Sequence, residues 1–177
     1  MDLRFLLAYL RNIYLIGMMG AGKTATGKAL AALAGMEFLD LDEEIESETR
    51  LSINEIFRRK GEPFFRTEEK RTLNRAALKT HTVVATGGGV VLDPENVEKM
   101  RATGRVIYLA ASFETLWKRV QDKRDRPLLA VSDPKAVFFQ LFEERRPLYE
   151  AASHGAIDTG ALSAEAAARK IAEGYLK

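Results

Sequence analysis

The sequence predicts an α/β fold, a parallel β-sheet covered by helices on both faces, and three observations carry that expectation. Five short apolar or β-branched runs recur along the 177 residues, helical patterns fill most of the gaps, and a glycine-rich loop joins the first run to the first helix. The strand-like runs are Ile13 to Ile16, Glu37 to Leu41, Thr82 to Thr86, Val106 to Ala110 and Gly155 to Asp158. Helix starts are marked as well. Ser52-Ile53-Asn54-Glu55 reads as a capping box, and Asp93-Pro94 and Asp133-Pro134 each set a cap residue before a proline at the first helical position. Between the helical patterns, the most polar stretch, Gln121 to Arg126, reads as a mobile loop over a site.

Composition narrows the classes. A content of 46% hydrophobic and 29% charged residues suits a single globular domain spanning residues 1–177. The net charge of +2 arises from 27 basic and 25 acidic residues mixed along the chain, so no basic face for nucleic acid is expected. Zero cysteines exclude disulfides, thiolate metal sites and cysteine nucleophiles, and fit a cytoplasmic location. Phe5 to Leu10 is apolar but too short to span a bilayer, and Arg11 and Asn12 end it; Met1 to Arg11 is read as a short helix or frayed extension with no membrane role.

The chemistry begins at Gly17-Met18-Met19-Gly20-Ala21-Gly22-Lys23-Thr24, a complete G-x-x-x-x-G-K-T loop. The run before it, Ile13 to Ile16, suits a buried strand, and Ala25 to Ala34 is rich in helix formers. Phosphate oxygens need many N–H donors at close range. Glycine lets the backbone curl inward to offer them, and the following helix adds its N-terminal dipole. Residues Gly20 to Ala25 are therefore expected to cradle a nucleoside triphosphate, with Lys23 as a mobile cation and the Thr24 hydroxyl as a ligand to Mg2+.

Two further constellations follow. Asp40 and Asp42 close the second strand-like run, where open parallel sheets bind ligands. Two residues apart on a strand, they face one cleft, one to hold hydrated Mg2+ and the other the accepting hydroxyl; equally, they are the acids expected at the start of the helix that contains Asp42-Glu43-Glu44. Arg66 and Glu69 are an i,i+3 pair able to fix a guanidinium direction, or a simple surface ion pair. Gly87-Gly88-Gly89 after the third strand lets backbone N–H groups approach a ligand. Arginines recur at Arg126 in RPLL and at Arg145 in ERRPLY, in a residue type whose planar fork suits carboxylate or phosphate.

In order, GMMGAGKT, FLDLD, FFRTEE, TGGG, RPLL and ERRPLY resemble the shikimate kinase family, from about Ile13 to Tyr149. The resemblance implies a three-layer P-loop kinase fold of the nucleoside monophosphate kinase type with a central five-stranded parallel sheet, a helical substrate-binding region at about 42–75 and a lid at about 121–133. It implies an ATP-dependent enzyme of aromatic amino-acid biosynthesis, with ATP, Mg2+ and shikimate as its small-molecule partners; a monomer is expected. By the same match Asp40 would hold Mg2+ through water and Asp42 would contact the accepting hydroxyl. Arg66 and Arg145 would clamp the shikimate carboxylate, with Gly88 and Gly89 as backbone donors. Arg126 would reach from the lid to the transferring phosphate, and Arg119 would lie beside adenine. Lys23, Asp42 and Arg126 would be the catalytic groups. Two departures stand out: the stretch through Arg11 is longer than the family pattern needs, and the Thr159 to Ser163 loop lacks an arginine or proline to face adenine.

Two other readings compete. A kinase of another hydroxy acid such as gluconate also needs arginines. A GTP-dependent switch would carry N/T-K-x-D, and the nearest stretch, Asp122-Lys123-Arg124-Asp125, has an acid where the amide or hydroxyl belongs.

Overall fold

Each apolar run becomes a strand. In chain order the elements are β1 (Asn12–Ile16), α1 (Lys23–Ala34), β2 (Glu37–Asp40), α2 (Leu41–Thr49), α3 (Ile53–Lys60), α4 (Glu62–Ala76), β3 (Thr82–Ala85), α5 (Pro94–Thr103), β4 (Gly104–Ala110), α6 (Phe113–Val120), α7 (Pro134–Ala152), β5 (Gly155–Asp158) and α8 (Ala164–Tyr175). A computed structural model describes residues 11–122 and 127–176; the expected helix or extension before Arg11, and the part of the expected lid that contains Arg126, lie outside the described residues.

All five strands run parallel in the order β2-β3-β1-β4-β5. The central strand is β1, and Ile13 to Ile16 on it are all buried. This is what a strand covered on both faces demands of its side chains. The sheet reverses its direction of growth around β1, and ligands in such sheets bind beyond the carboxyl ends of the strands at that point. The loop after β1 therefore opens into the crevice.

The marked helix starts form as read. Ser52 and Glu55 complete a reciprocal capping box on α3, and the Asp93 and Asp133 carboxylates accept from backbone N–H groups at the starts of α5 and α7. A second, smaller apolar cluster of Ile45, Ile56 and Phe65 ties α2, α3 and α4 together beside the main core. That cluster gives the helical region from α2 to α4 its own anchor. No helix among the described residues is long and apolar enough to cross a membrane.

Candidate active site

The phosphate loop takes its shape from glycines at positive φ: Gly20 at 86° and Gly22 at 88°, the latter capping α1. Gly20, Gly22, Lys23, Thr24 and Ala25 line a cleft of about 450 Å³. Ala21 does not. Its amide donates to the Met18 carbonyl at 3.1 Å within the loop, and its side chain is buried. Lys23 Nζ donates to the carbonyls of Gly17 at 2.8 Å and Met18 at 3.0 Å.

Asp40 and Asp42 meet at the cleft by a different route from the one their spacing suggests. Only Asp40 belongs to β2; Asp42 lies in the first turn of α2. Asp40 Oδ1 caps that helix by accepting from the Asp42 and Glu43 amides, at 3.0 and 3.4 Å, while Oδ2 accepts from Thr24 Oγ1 at 2.6 Å. Asp40 thus serves at once as helix cap and as partner of Thr24 beside the phosphate loop. The donor set suits a hydrated Mg2+. The described residues hold no cluster of three or more His, Cys, Asp or Glu that would make a protein cage, and magnesium ordinarily keeps several waters and phosphate oxygens with one or two protein ligands.

Arg119 on α6 bridges two loops. Its guanidinium donates to the Gly20 carbonyl at 3.1 Å and to the Thr159 carbonyl at 2.8 Å, beside a pocket of about 190 Å³ also bounded by Ala25, Thr26, Leu162 and Ser163. The Thr159 to Ser163 loop thus meets the phosphate loop through Arg119 and through the Thr159 hydroxyl, which donates to the Ala21 carbonyl at 3.3 Å.

A second cavity, of about 70 Å³, adjoins the nucleotide cleft, and Met19, Asp42 and Gly88 line both. Its walls include Arg66 on α4, Arg145 on α7, Gly87 to Gly89, and the apolar Ile53, Phe57 and Phe65. Leu128, in the expected lid, also reaches it. Arg66 is held from two sides, by Glu62 at 2.8 and 3.1 Å and by Glu69 at 2.8 Å. This is no surface pair, because Glu69 is only 1% exposed. Burial opposes the charge on Arg66, but Glu69 and Glu62 more than offset it and raise its pKa. Burial pushes the Glu69 carboxyl up, against the pull of Arg66 and Arg145. Arg145 is likewise buried, at 4% exposed. Glu62 and the Ile53 and Phe57 wall were not legible as site residues. The i,i+4 spacing of Glu62 and Arg66 was the one available signal.

Comparison with known proteins places these features together. The shikimate kinase family model matches residues 19–175. A shikimate kinase of Caldanaerobacter subterraneus subsp. tengcongensis is 39% identical over 95% of this chain and 98% of that protein. One from Thermodesulfovibrio yellowstonii is 42% identical over 94% of this chain and 95% of that protein. A solved shikimate kinase from Acinetobacter baumannii, in complex with shikimate, superposes with a TM-score of 0.91 and is 41% identical, covering 95% of this chain and 94% of that one.

Proposed function

The chain belongs to the shikimate kinase family, and from that premise we infer how its own residues divide the reaction. It is an ATP-dependent kinase that transfers the γ-phosphoryl group of ATP to the 3-hydroxyl of shikimate, giving shikimate 3-phosphate and ADP. The observation that carries the assignment of residues is the convergence of Arg66 and Arg145, from two different helices, on a cavity continuous with the phosphate-loop cleft.

Shikimate carries one carboxylate and an apolar ring, and the cavity offers two guanidinium groups and a wall of Ile53 and Phe57. A guanidinium has five N–H donors; three of those on Arg66 go to Glu62 and Glu69, which fixes its plane and leaves two for a carboxylate. Arg145 binds the same carboxylate, and the backbone of Gly88 and Gly89 donates to the ring substituents. Asp42, shared by both cavities, aligns the accepting hydroxyl and takes its proton late, because a loose transition state asks for little base strength.

On the nucleotide side, the N–H groups of Gly20 and of Gly22 to Ala25 cradle the phosphates. Lys23 leaves the Gly17 and Met18 carbonyls for the outer phosphates, where its charge opposes that developing on the equatorial oxygens. Thr24 and Asp40 are the residues that hold Mg2+, which when bound supplies charge neutralisation between the phosphates. Arg119 packs beside the base, and Arg126 closes over the transferring group from the lid, excluding the water that would otherwise compete as acceptor. A monomer in the cytoplasm completes the reading, and the lack of cysteine fits that compartment.

A coupled assay for diphosphate nucleotide release tests this, with ATP or GTP and with shikimate, gluconate or no acceptor. ADP release that needs shikimate and ignores gluconate is expected. Equal turnover with gluconate would sink the acceptor assignment, and acceptor-independent GTP hydrolysis would restore the switch reading.

A further inference from the structure

Tyr149 is fully buried on α7, with its ring stacked on Tyr108 at 5.2 Å and 24°. Burial pushes its phenol well above its ordinary value, so the hydroxyl is protonated and donates. It donates to the Gly88 carbonyl and faces Met18 Sδ in the phosphate loop at 3.6 Å, and the nearby Arg145 charge pulls its pKa back down against that burial. One oxygen therefore touches the phosphate loop and the glycine shared by both cavities.

Gly88 sits in a seam that makes such a junction consequential. A Cβ placed on it would stand 3.7 Å from each of the Gly17 carbonyl oxygen, the Met19 amide nitrogen and Arg145 Nη1. The phosphate loop and the substrate arginine thus meet at one glycine, so a shift of the Gly88 backbone is felt by both. We propose that Tyr149 is a positioning residue that couples the two sites: its hydroxyl ties the Gly88 peptide, against which Arg145 lies, to Met18, so that ordering the phosphate loop around nucleotide orders the acceptor cavity, and the reverse. The inference rests on the assignment of that cavity to shikimate. Coupling of this kind is reciprocal, so either ligand should tighten the other by the same factor.

Titration calorimetry of shikimate, with and without magnesium and a non-hydrolysable ATP analogue, reads that factor directly. In the wild type it should be on the order of 5- to 150-fold. Tyr149→Phe keeps the ring and removes the hydroxyl, and should bring the factor to about 1 while weakening shikimate alone by about tenfold or less, the effect of one orphaned buried acceptor. Tyr108→Phe removes a hydroxyl from the same ring stack without touching Gly88, and should keep the wild-type factor. A wild-type factor in Tyr149→Phe, or equal losses in both variants, would overturn the tether and leave Tyr149 as core packing. If Tyr149→Phe does not fold, Met18→Leu, which keeps bulk and deletes the sulfur, carries the same comparison: a reduced factor supports the tether and an unchanged one overturns it. Failure of shikimate to bind the wild type at all would instead remove the cavity assignment, and the inference with it.

Discussion

Lys23 holds its ammonium on the carbonyls of Gly17 and Met18, the only side-chain cation among the eight loop residues. Lys23→Ala leaves the backbone cradle intact but removes that charge, so turnover should fall by about 10²-fold or more while the melting temperature stays close to wild type. Near-normal turnover in a folded variant would sink the phosphate-loop assignment. Arg66 offers the complementary test. Its plane is held by Glu62 and Glu69, and a lysine in its place presents a point charge where a fork is needed. Arg66→Lys should therefore weaken shikimate binding by about tenfold with ATP affinity nearly unchanged, as expected for loss of a charge-assisted pair on one ligand only. Comparable losses for both ligands in calorimetry would contradict the clamp.

At the scale of elements, the expected lid is the informative piece. Its C-terminal end is already fastened: residues 127–129 form a 3₁₀ turn, Leu129 is buried in the core and Leu128 faces the acceptor cavity. The six charged residues from Asp122 to Arg126 and at Asp133 offer no comparable apolar anchor. Hydrogen exchange should be fast across Lys123 to Arg126 in the free enzyme and should slow when an ATP analogue and shikimate are both bound, with Leu129 protected throughout. Closure requires a contact that only the liganded state has, so Arg126→Ala should abolish most of that slowing together with turnover. Exchange that is identical in free and doubly liganded enzyme would leave Arg126 without its role.

For the whole molecule, one contribution to pH stability lies far from the site. His154, between α7 and β5, accepts the Val106 amide on Nδ1 at 2.9 Å, which requires a neutral ring. Burial lowers its pKa, and the charges of Arg101, Arg105 and Arg11 lower it further. The sign follows: with a folded pKa below the ordinary 6.5, the stabilisation is fully present above that value and is lost as pH falls through the folded pKa. Thermal melts should show a decline on acidification that His154→Asn, which keeps an acceptor near Nδ1 without titrating, makes shallower. Parallel curves for the two proteins would rule the histidine out as a source of the slope.

Local pattern was enough to specify the sheet, the phosphate loop and the helix caps, because a strand's burial, a glycine's positive φ and a cap's side-chain bond are each written within a few residues. The ends of elements were less legible. Leu41 extends the apolar run of β2, yet it starts α2, since Asp40 caps the helix with its carboxylate and so turns Asp42 into the cleft from a helix rather than a strand. Arg66 and Arg145 were visible as arginines, and family resemblance paired them. Only the convergence of α4, α7 and the Gly87 to Gly89 turn on one cavity decides that they share it, and that Glu69 is buried beneath one of them. Residues 79 apart in sequence acquire a common environment only when the chain pays the entropy of closing on itself, and neither hydrophobic period nor local spacing records which distant side chains will then face one another.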